Sequence, residues 1–192
     1  MLTGVSQSVI ILLVGAVYYA VDFWLLRRYD QLRTDSGSGR SWGYTAVMIA
    51  LLALLVAQPV LLPRIGFRTE ASWGLAVQSC GLVLLVGALL LHWWARSHLQ
   101  QFYVEDVVFQ AGQYLVDTGP YRYVRHPLFT SFFMIATGLF LVNPALTTLL
   151  MAVYAFIDFP QAARKEEKLL AEKLPDYVDY VKRTGRFLPK WR

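Results

Sequence analysis

The fold of this chain is decided by residues 119–159, which read GPYRYVRHPLFTSFFMIATGLFLVNPALTTLLMAVYAFIDF. The first nine of these residues form a compact basic and aromatic segment. The remainder, Leu128 to Phe159, is apolar and is divided by Asn143-Pro144, a pair typical of turns. A second polar cluster, Arg164-Lys165-Glu166-Glu167, follows directly. We therefore predict a helical hairpin whose open end is flanked by two polar motifs, an arrangement that indicates a functional site.

The composition is typical of a membrane protein. Hydrophobic residues make up 56% of the 192 residues and charged residues 16%, against about 25% charged in soluble domains. A transmembrane helix needs about 20 apolar residues. Apolar runs lie at Val5–Leu26, Gly43–Leu62 and Trp73–Trp94, and two shorter runs lie at Leu128–Val142 and Ala145–Phe159. We expect an all-α, polytopic membrane protein with about five transmembrane helices, the last two forming the short hairpin.

The segments around these runs complete the predicted organisation. Residues 95–117 mix polar and apolar side chains, which favours a segment that lies along the membrane surface. Pro160 is expected to kink the fifth helix without ending it, because residues 162–174 are again helix-forming. We divide the chain into three N-terminal transmembrane helices in residues 1–94 and a functional region in residues 95–192. That region ends with a C-terminal helix on the cytoplasmic side.

The orientation follows from the positions of lysine and arginine. These residues concentrate in the first connection, in the third connection and in the tail after Phe159. Since cytoplasmic loops are enriched in Lys and Arg, we expect the N-terminus outside and the C-terminus in the cytoplasm. A secretory signal peptide is the competing interpretation of the first run. Residues 1–7 carry no Lys or Arg, however, and the run is too long for a signal peptide.

Several function classes find no support in the sequence. The net charge of +5 is explained by the loop bias and by contact with anionic lipid. The basic residues do not share one soluble face, so nucleic acid is not an expected partner. Cys80 lies alone in an apolar run and is expected to be a packing residue. No spacing of Cys and His indicates a metal site.

Two acidic residues interrupt the apolar runs, and each has two interpretations. Asp22 lies in the first run, and Asp158 lies in the fifth, one turn from Tyr154. Ionisable groups inside a membrane are functional candidates by default, and Asp158 with Tyr154 could line a path for a substrate. Both acids also lie near helix ends, so they could simply reach the interface.

The polar motifs predict a binding site for an elongated ligand. Pro127 disfavours helical geometry at His126, so the fourth helix should begin at Pro127. Backbone N–H groups at that start could receive an anion. The neighbouring side chains are cationic, aromatic or acidic: Arg122, Arg125, Tyr121, Tyr123, Glu166 and Glu167. Dinucleotides and S-adenosylmethionine both fit such a layout. Alternatively, these residues are interfacial anchors and a solvated helix face.

The motifs resemble the isoprenylcysteine carboxyl methyltransferase family. The resemblance rests on Leu115-Val116, Gly119-Pro120-Tyr121 and Arg125-His126-Pro127, on the hairpin with Asn143-Pro144 at its turn, and on Glu166-Glu167. It extends through Tyr177 and Tyr180 to Thr184-Gly185-Arg186-Phe187-Leu188-Pro189. Related phospholipid N-methyltransferases share the Arg-His-Pro and Glu-Glu elements. Leu128-Phe129 departs from the family, which commonly has a small or polar residue followed by Tyr.

The resemblance implies an integral-membrane methyltransferase that uses S-adenosylmethionine and acts on a lipidic or prenylated acceptor from the bilayer. It implies reactive-site roles for Arg164, Glu167 and Arg125. It implies cofactor contacts for Gln113, Tyr114, Leu115, Val116, Gly119, Tyr121, His126, Pro127, Leu128, Phe129, Glu166 and Glu167. Whether Glu166 or Glu167 contacts the cofactor stays open at this point.

Other functions remain in competition. The acceptor could be a prenylcysteine carboxylate, a phospholipid amine or a small thiol. A looser resemblance extends to membrane sterol-type reductases that use NADPH. A non-catalytic membrane adaptor, whose basic tail binds lipid or a partner, is the remaining alternative.

Overall fold

The computed structural model describes residues 2–29, 42–65, 71–103 and 112–190. The chain forms a bundle of helices: α1 (Val5–Tyr29), α2 (Trp42–Leu61), α3 (Ala71–Leu99), α4 (Pro127–Val142), α5 (Leu146–Lys173) and α6 (Tyr177–Arg183). Short 3₁₀ turns cover Pro63–Ile65, Gln100–Phe102 and Gly119–Arg122. A hydrophobic core forms between the helices around Ile11, Leu55, Leu85, Leu139 and Val142.

Two glycines allow α3 and α4 to pack closely. A Cβ atom on Gly81 would lie 2.9 Å from the carbonyl oxygen of Gly138. A Cβ atom on Gly138 would lie 2.8 Å from Leu85 Cγ. Small residues at such crossings let helix backbones approach in membrane proteins. The close pairing fixes the position of α4, whose first residue adjoins the candidate site.

The turn of the α4–α5 hairpin is buried and is satisfied by amide side chains. Asn143 is 3% exposed, and its side-chain amide donates to Gln58 Oε1 at 2.7 Å. The carbonyl of Val142 accepts from Gln7 Nε2 at 3.0 Å and from Gln78 Nε2 at 3.1 Å. Irregular backbone at membrane depth is tolerated only where protein or water satisfies it. Three other helices therefore cap the end of α4.

The observed bundle confirms an all-α, polytopic membrane fold. Within the described ranges, three helices are long and apolar enough to cross a membrane: Val5–Tyr29, Trp73–Leu99 and Leu146–Lys173. Shorter apolar helices cover Ile49–Leu61 and Pro127–Val142, so all five predicted apolar runs are helical.

Two boundaries can be compared with the sequence predictions. The surface segment does not begin at Ala95, because α3 continues to Leu99 and so contains the buried Arg96. Residues 104–111 of that segment lie outside the described residues. The prediction that α5 continues past Pro160 is confirmed, since that proline lies inside the helix.

Candidate functional site

The Gly119–Arg122 segment forms a tight turn that only glycine can begin. Gly119 has a φ of +57°, and a Cβ atom there would lie 2.5 Å from the ring of His98. Left-handed backbone combined with this close approach requires glycine. The turn leads to Val124, and α4 begins at Pro127 with His126 as its N-cap residue. The predicted helix start at Pro127 is confirmed.

A strap formed by residues 184–187 holds this segment in place. Gly185 forms an isolated parallel bridge with Val124. The backbone N–H groups of Arg125 and His126 donate to Gly185 O at 2.8 Å and Arg186 O at 3.0 Å. The hydroxyl of Thr130 donates to Phe187 O at 2.8 Å. The C-terminal strap thus fixes both the segment before α4 and the first turn of α4.

The carboxylate of Glu167 lies at the centre of the site and is held by three side chains. It accepts from Arg125 Nε at 2.8 Å, from His126 Nε2 at 3.2 Å and from Arg186. Its side chain is only 13% exposed. Arg125 is equally fixed, since its guanidinium donates to Thr184 O at 2.6 Å. Charge-assisted bonds of this kind are the stronger class of hydrogen bond.

Glu166 differs from its neighbour because it keeps access to solvent. Its Oε2 atom lies 3.3 Å from His126 Nδ1, and its side chain is 42% exposed. His126 therefore lies between two carboxylates. Burial disfavours the charged imidazolium, but the hydrogen bonds and charges of Glu166 and Glu167 outweigh burial and raise the pKa of His126. The two predicted polar motifs do meet across the mouth of the hairpin.

Aromatic rings extend from His126 into the bundle. Phe129 stacks on His126 with ring centroids 5.4 Å apart and on Phe159 at 5.2 Å. Phe132 continues the row at 5.4 Å from Phe159 and 5.9 Å from Tyr18. Phe129, at the position where the resemblance to the family implies a tyrosine, thus offers an apolar stacking surface. The polar site opens onto an apolar aromatic wall.

A tyrosine of α6 makes a hydrogen bond to the Gly119–Arg122 turn. Tyr180 donates to Tyr121 O at 2.6 Å, and Tyr121 is buried. The hydroxyl of Tyr177 is buried and makes no hydrogen bond within the described part of the chain.

Tyr177 also lines an open groove, together with Arg164, Glu167, Lys168, Ala171, Val178, Val181, Lys182 and Arg186. Arg164 itself is exposed, so the predicted reactive arginine lies at the rim of the cluster.

The predicted cofactor loop is only partly integrated with this cluster. Gln113 to Val116 form neither helix nor strand. Tyr114 is 60% exposed and meets Phe102 edge-to-face at 4.8 Å. Asp117, just beyond, pairs with Arg183 at 2.8 Å. The loop therefore lies at the same end of the bundle as His126, next to the 3₁₀ turn.

Sequence reasoning missed two contributors to the site. Arg186 binds Glu167 and Arg183 pairs with Asp117, and the sequence pattern predicts neither contact. Asp22 was predicted as a functional candidate, but its buried partners His92 and Arg96 were not. The sequence feature that could have indicated this ion pair is Arg96, an arginine near the end of an otherwise apolar helix.

The comparison with known sequences finds a family that part of the chain resembles. Residues 81–172 match the sequence model of the isoprenylcysteine carboxyl methyltransferase (ICMT) family. The matched stretch runs from the middle of α3 through the His126–Glu166–Glu167 cluster. The match covers just under half of the chain, which is therefore similar to the ICMT family over this stretch. The resemblance suggested by the Arg-His-Pro and Glu-Glu motifs is thereby confirmed.

Three curated proteins are similar in sequence to this chain. The chain is 27% identical over 188 residues to the protein-S-isoprenylcysteine O-methyltransferase of Saccharomyces cerevisiae, covering 91% of this chain and 76% of that protein. Over 77 residues it is 36% identical to the nickel-cobalt-cadmium resistance protein NccN of Alcaligenes xylosoxydans. Over 77 residues it is 32% identical to the cobalt-zinc-cadmium resistance protein CzcN of Cupriavidus metallidurans. These two matches cover 40% of this chain and 36% of each resistance protein.

A solved structure shares the fold. The eukaryotic intramembrane Ras methyltransferase ICMT superposes with a TM-score of 0.69 at 18% sequence identity. The superposition covers 97% of this chain and 67% of that protein. The helical membrane architecture is therefore that of the ICMT fold.

Proposed function

We propose that this protein is a membrane-embedded methyltransferase that transfers a methyl group from S-adenosylmethionine to the carboxylate of a prenylcysteine-type, lipid-like acceptor. The observation that carries the proposal is the meeting of His126 with Glu166 and Glu167 at the mouth of the α4–α5 hairpin. This cluster lies within the stretch that matches the ICMT family. The yeast relative that spans most of the chain has this activity in its name.

The residues present suit such a cofactor. Glu166 offers a half-exposed carboxylate, which can accept from hydroxyl or ammonium groups. Tyr114 offers an exposed ring, which can pack against a planar base. The first turn of α4 has no side-chain cap, so its backbone N–H groups can receive a carboxylate. We assign cofactor contact to Glu166 and not to Glu167, because three side chains already occupy Glu167.

The reaction itself asks little of the protein beyond alignment. When bound, the cofactor supplies a methyl group on a positively charged sulfur. A new carbon–oxygen bond forms as the carbon–sulfur bond breaks, leaving a neutral thioether and a methyl ester. A carboxylate acceptor therefore needs no general base. Orientation of this kind can contribute about 7–11 kcal/mol.

The remaining residues would orient the acceptor and exclude water. The aromatic wall of Phe129, Phe132 and Phe159 would hold the apolar part of an acceptor that enters from the bilayer. Arg164 at the rim would attract its carboxylate. Arg125 is a positioning residue, since its guanidinium is bound by Glu167 and the carbonyl of Thr184. We further propose that this end of the bundle faces the cytoplasm, in line with the bias of Lys and Arg.

Calorimetric titration with S-adenosylhomocysteine tests the cofactor. The protein would be purified in detergent and checked for folding by a cooperative thermal transition. We expect saturable binding at one site per chain. A parallel titration with NADPH tests the reductase alternative and should show no heat of binding. A folded sample that shows no heat of binding with S-adenosylhomocysteine would contradict the proposed function, whether or not NADPH binds.

Acceptor class is tested separately, in vesicles. Radiolabelled methyl transfer would be measured with S-farnesylcysteine, a phosphatidylethanolamine and a small alkyl thiol. Base-labile label in the first acceptor alone is expected, because a methyl ester hydrolyses in base whereas an N-methyl or S-methyl group does not. Label in either of the other acceptors and not in S-farnesylcysteine would contradict the carboxylate assignment.

A further inference from the structure

A buried ion pair lies outside the cluster described above. Asp22 on α1 accepts from Arg96 Nε on α3 at 3.0 Å. The side chains are 3% and 1% exposed, respectively. His92 adjoins the pair, with Nε2 at 3.7 Å from Asp22 Oδ1. Asp22 therefore does not simply reach the interface, and that interpretation of the sequence is wrong.

Stability alone does not explain why this ion pair is buried. Removing two charges from water is costly, and an apolar pair of similar volume is often equally stable. Both ring nitrogens of His92 are also buried without a hydrogen bond inside the described residues, in contact with the rings of Tyr18 and Phe132. In some proteins, polar groups buried at a cost in stability serve to fix one geometry.

Arg96 determines how the chain leaves α3. Its Nη1 donates to Gln100 O at 3.4 Å. Gln100 has a φ of +51°, the left-handed conformation that non-glycine residues rarely adopt. The guanidinium carbon also lies 3.7 Å from the centre of the Tyr103 ring, a cation–π contact. Arg96 thus contacts both Gln100, the strained residue that follows α3, and Tyr103.

This exit leads to the predicted cofactor loop. Phe102 lies between Gln100 and Tyr103, is 8% exposed, and packs edge-to-face on Tyr114 at 4.8 Å. Asp22 thus contacts Arg96, Arg96 contacts the residues on both sides of Phe102, and Phe102 contacts the loop.

We infer that Asp22 and Arg96 are positioning residues that fix the 112–118 loop through the strained end of α3. Asp22 orients the guanidinium, and the guanidinium holds Gln100 and Tyr103 so that Phe102 presses against Tyr114. The inference rests on the proposed function only in taking this loop as a cofactor contact. The geometric link from α1 to the loop stands independently of that role.

Two variants separate positioning from stability. Asp22→Asn leaves a buried arginine unpaired and is expected to unfold easily. The double variant Asp22→Leu, Arg96→Met removes both charges and is expected to fold with a thermal midpoint near that of the wild type. Arg28→Gln is the matched control, because it removes an exposed charge at the same end of α1.

The first readout is hydrogen exchange of residues 112–118, which needs no ligand. We expect at least tenfold faster exchange there in the folded double variant, with the hairpin residues 128–159 unchanged and Arg28→Gln like the wild type. Wild-type exchange of the loop in the folded double variant would overturn the inference. This result does not depend on whether the protein is a methyltransferase.

The second readout is affinity for S-adenosylhomocysteine. The double variant should bind about tenfold more weakly, and its KM for S-adenosylmethionine should rise while kcat changes little. Equal affinity in the double variant and the wild type would overturn the inference. Absence of binding in the wild type itself would contradict the proposed function and leave the exchange measurement to decide the inference.

Discussion

Glu167 on α5 and Arg186 in the C-terminal strap form a two-point ion pair. Arg186 Nη2 lies 2.5 Å from Glu167 Oε2, and Arg186 Nε lies 3.0 Å from Oε1. The same carboxylate binds Arg125, so one side chain joins α5, the segment before α4 and the strap. Glu167 is therefore the structural centre of the site, and the proposed function assigns contact with the ligand to Glu166.

Removal of the Arg186 side chain should loosen the strap. Arg186→Met is expected to lower the free energy of unfolding by about 1–2 kcal/mol, since the bonds are charge-assisted but Arg186 is 36% exposed. Thermal unfolding in detergent measures the change. Lys182→Gln is the control, because Lys182 pairs with Asp179 in an exposed i,i+3 contact. Equal midpoints for the two variants would contradict the structural role of Arg186.

Substitution of Glu167 should mainly affect stability, whereas substitution of Glu166 should mainly affect ligand binding. Glu167→Gln leaves Arg125 and Arg186 without a carboxylate and is expected to cost about 2–4 kcal/mol of stability. Glu166→Gln should lower the thermal midpoint far less than Glu167→Gln does, because the Glu166 side chain that contacts His126 is 42% exposed, but should weaken S-adenosylhomocysteine binding at least tenfold. Calorimetric titration and thermal melts measure both quantities. The assignment is wrong if Glu166→Gln binds normally, or if it melts as early as Glu167→Gln.

Gly119 should tolerate no side chain because of His98. Gly119→Ala places a Cβ atom 2.5 Å from the His98 ring, and we expect lost ligand binding and a lower thermal midpoint. Gly112→Ala is the matched control: its φ is +72°, but nothing lies within 4 Å of the added atom. The double variant Gly119→Ala, His98→Ala should recover part of the loss. No recovery would mean that backbone strain alone, and not the contact with His98, sets the requirement.

Stability should depend on pH through His126. The pKa of His126 is raised in the folded protein above its unfolded value of about 6.5. Its charge therefore stabilises the fold fully below pH about 6.5, and this contribution is lost as the pH rises through the raised pKa. The difference in thermal midpoint between wild type and His126→Gln should shrink from pH about 6 to about 9. A constant difference would exclude this titration.

The sequence predicted the helical architecture well because long apolar runs leave little choice in a bilayer. Each of the five runs is a helix, and the helix start at Pro127 follows from the restriction that proline imposes on His126. The proximity of His126 to Glu166 and Glu167 could also be expected, since a hairpin brings its two ends together.

The sequence could not predict which of the two glutamates binds the arginines and which one stays accessible to solvent. Glu166 and Glu167 are adjacent and chemically identical, and only the packing of α5 against the strap decides which one Arg186 binds. The pairing of Asp22 with Arg96 joins residues on different helices, and no local pattern specifies such a contact. The predicted division at residues 94 and 95 stays a prediction, although α3 crosses it as one helix.

The most direct test of the account is methyl transfer by the reconstituted protein. Wild type, Glu166→Gln and the stability control Lys182→Gln would be placed in vesicles with labelled S-adenosylmethionine and S-farnesylcysteine. We predict base-labile methyl ester in the wild type and in Lys182→Gln, and at least a tenfold lower rate in folded Glu166→Gln. Wild-type protein that binds S-adenosylhomocysteine yet forms no ester, or Glu166→Gln protein with full activity, would contradict it.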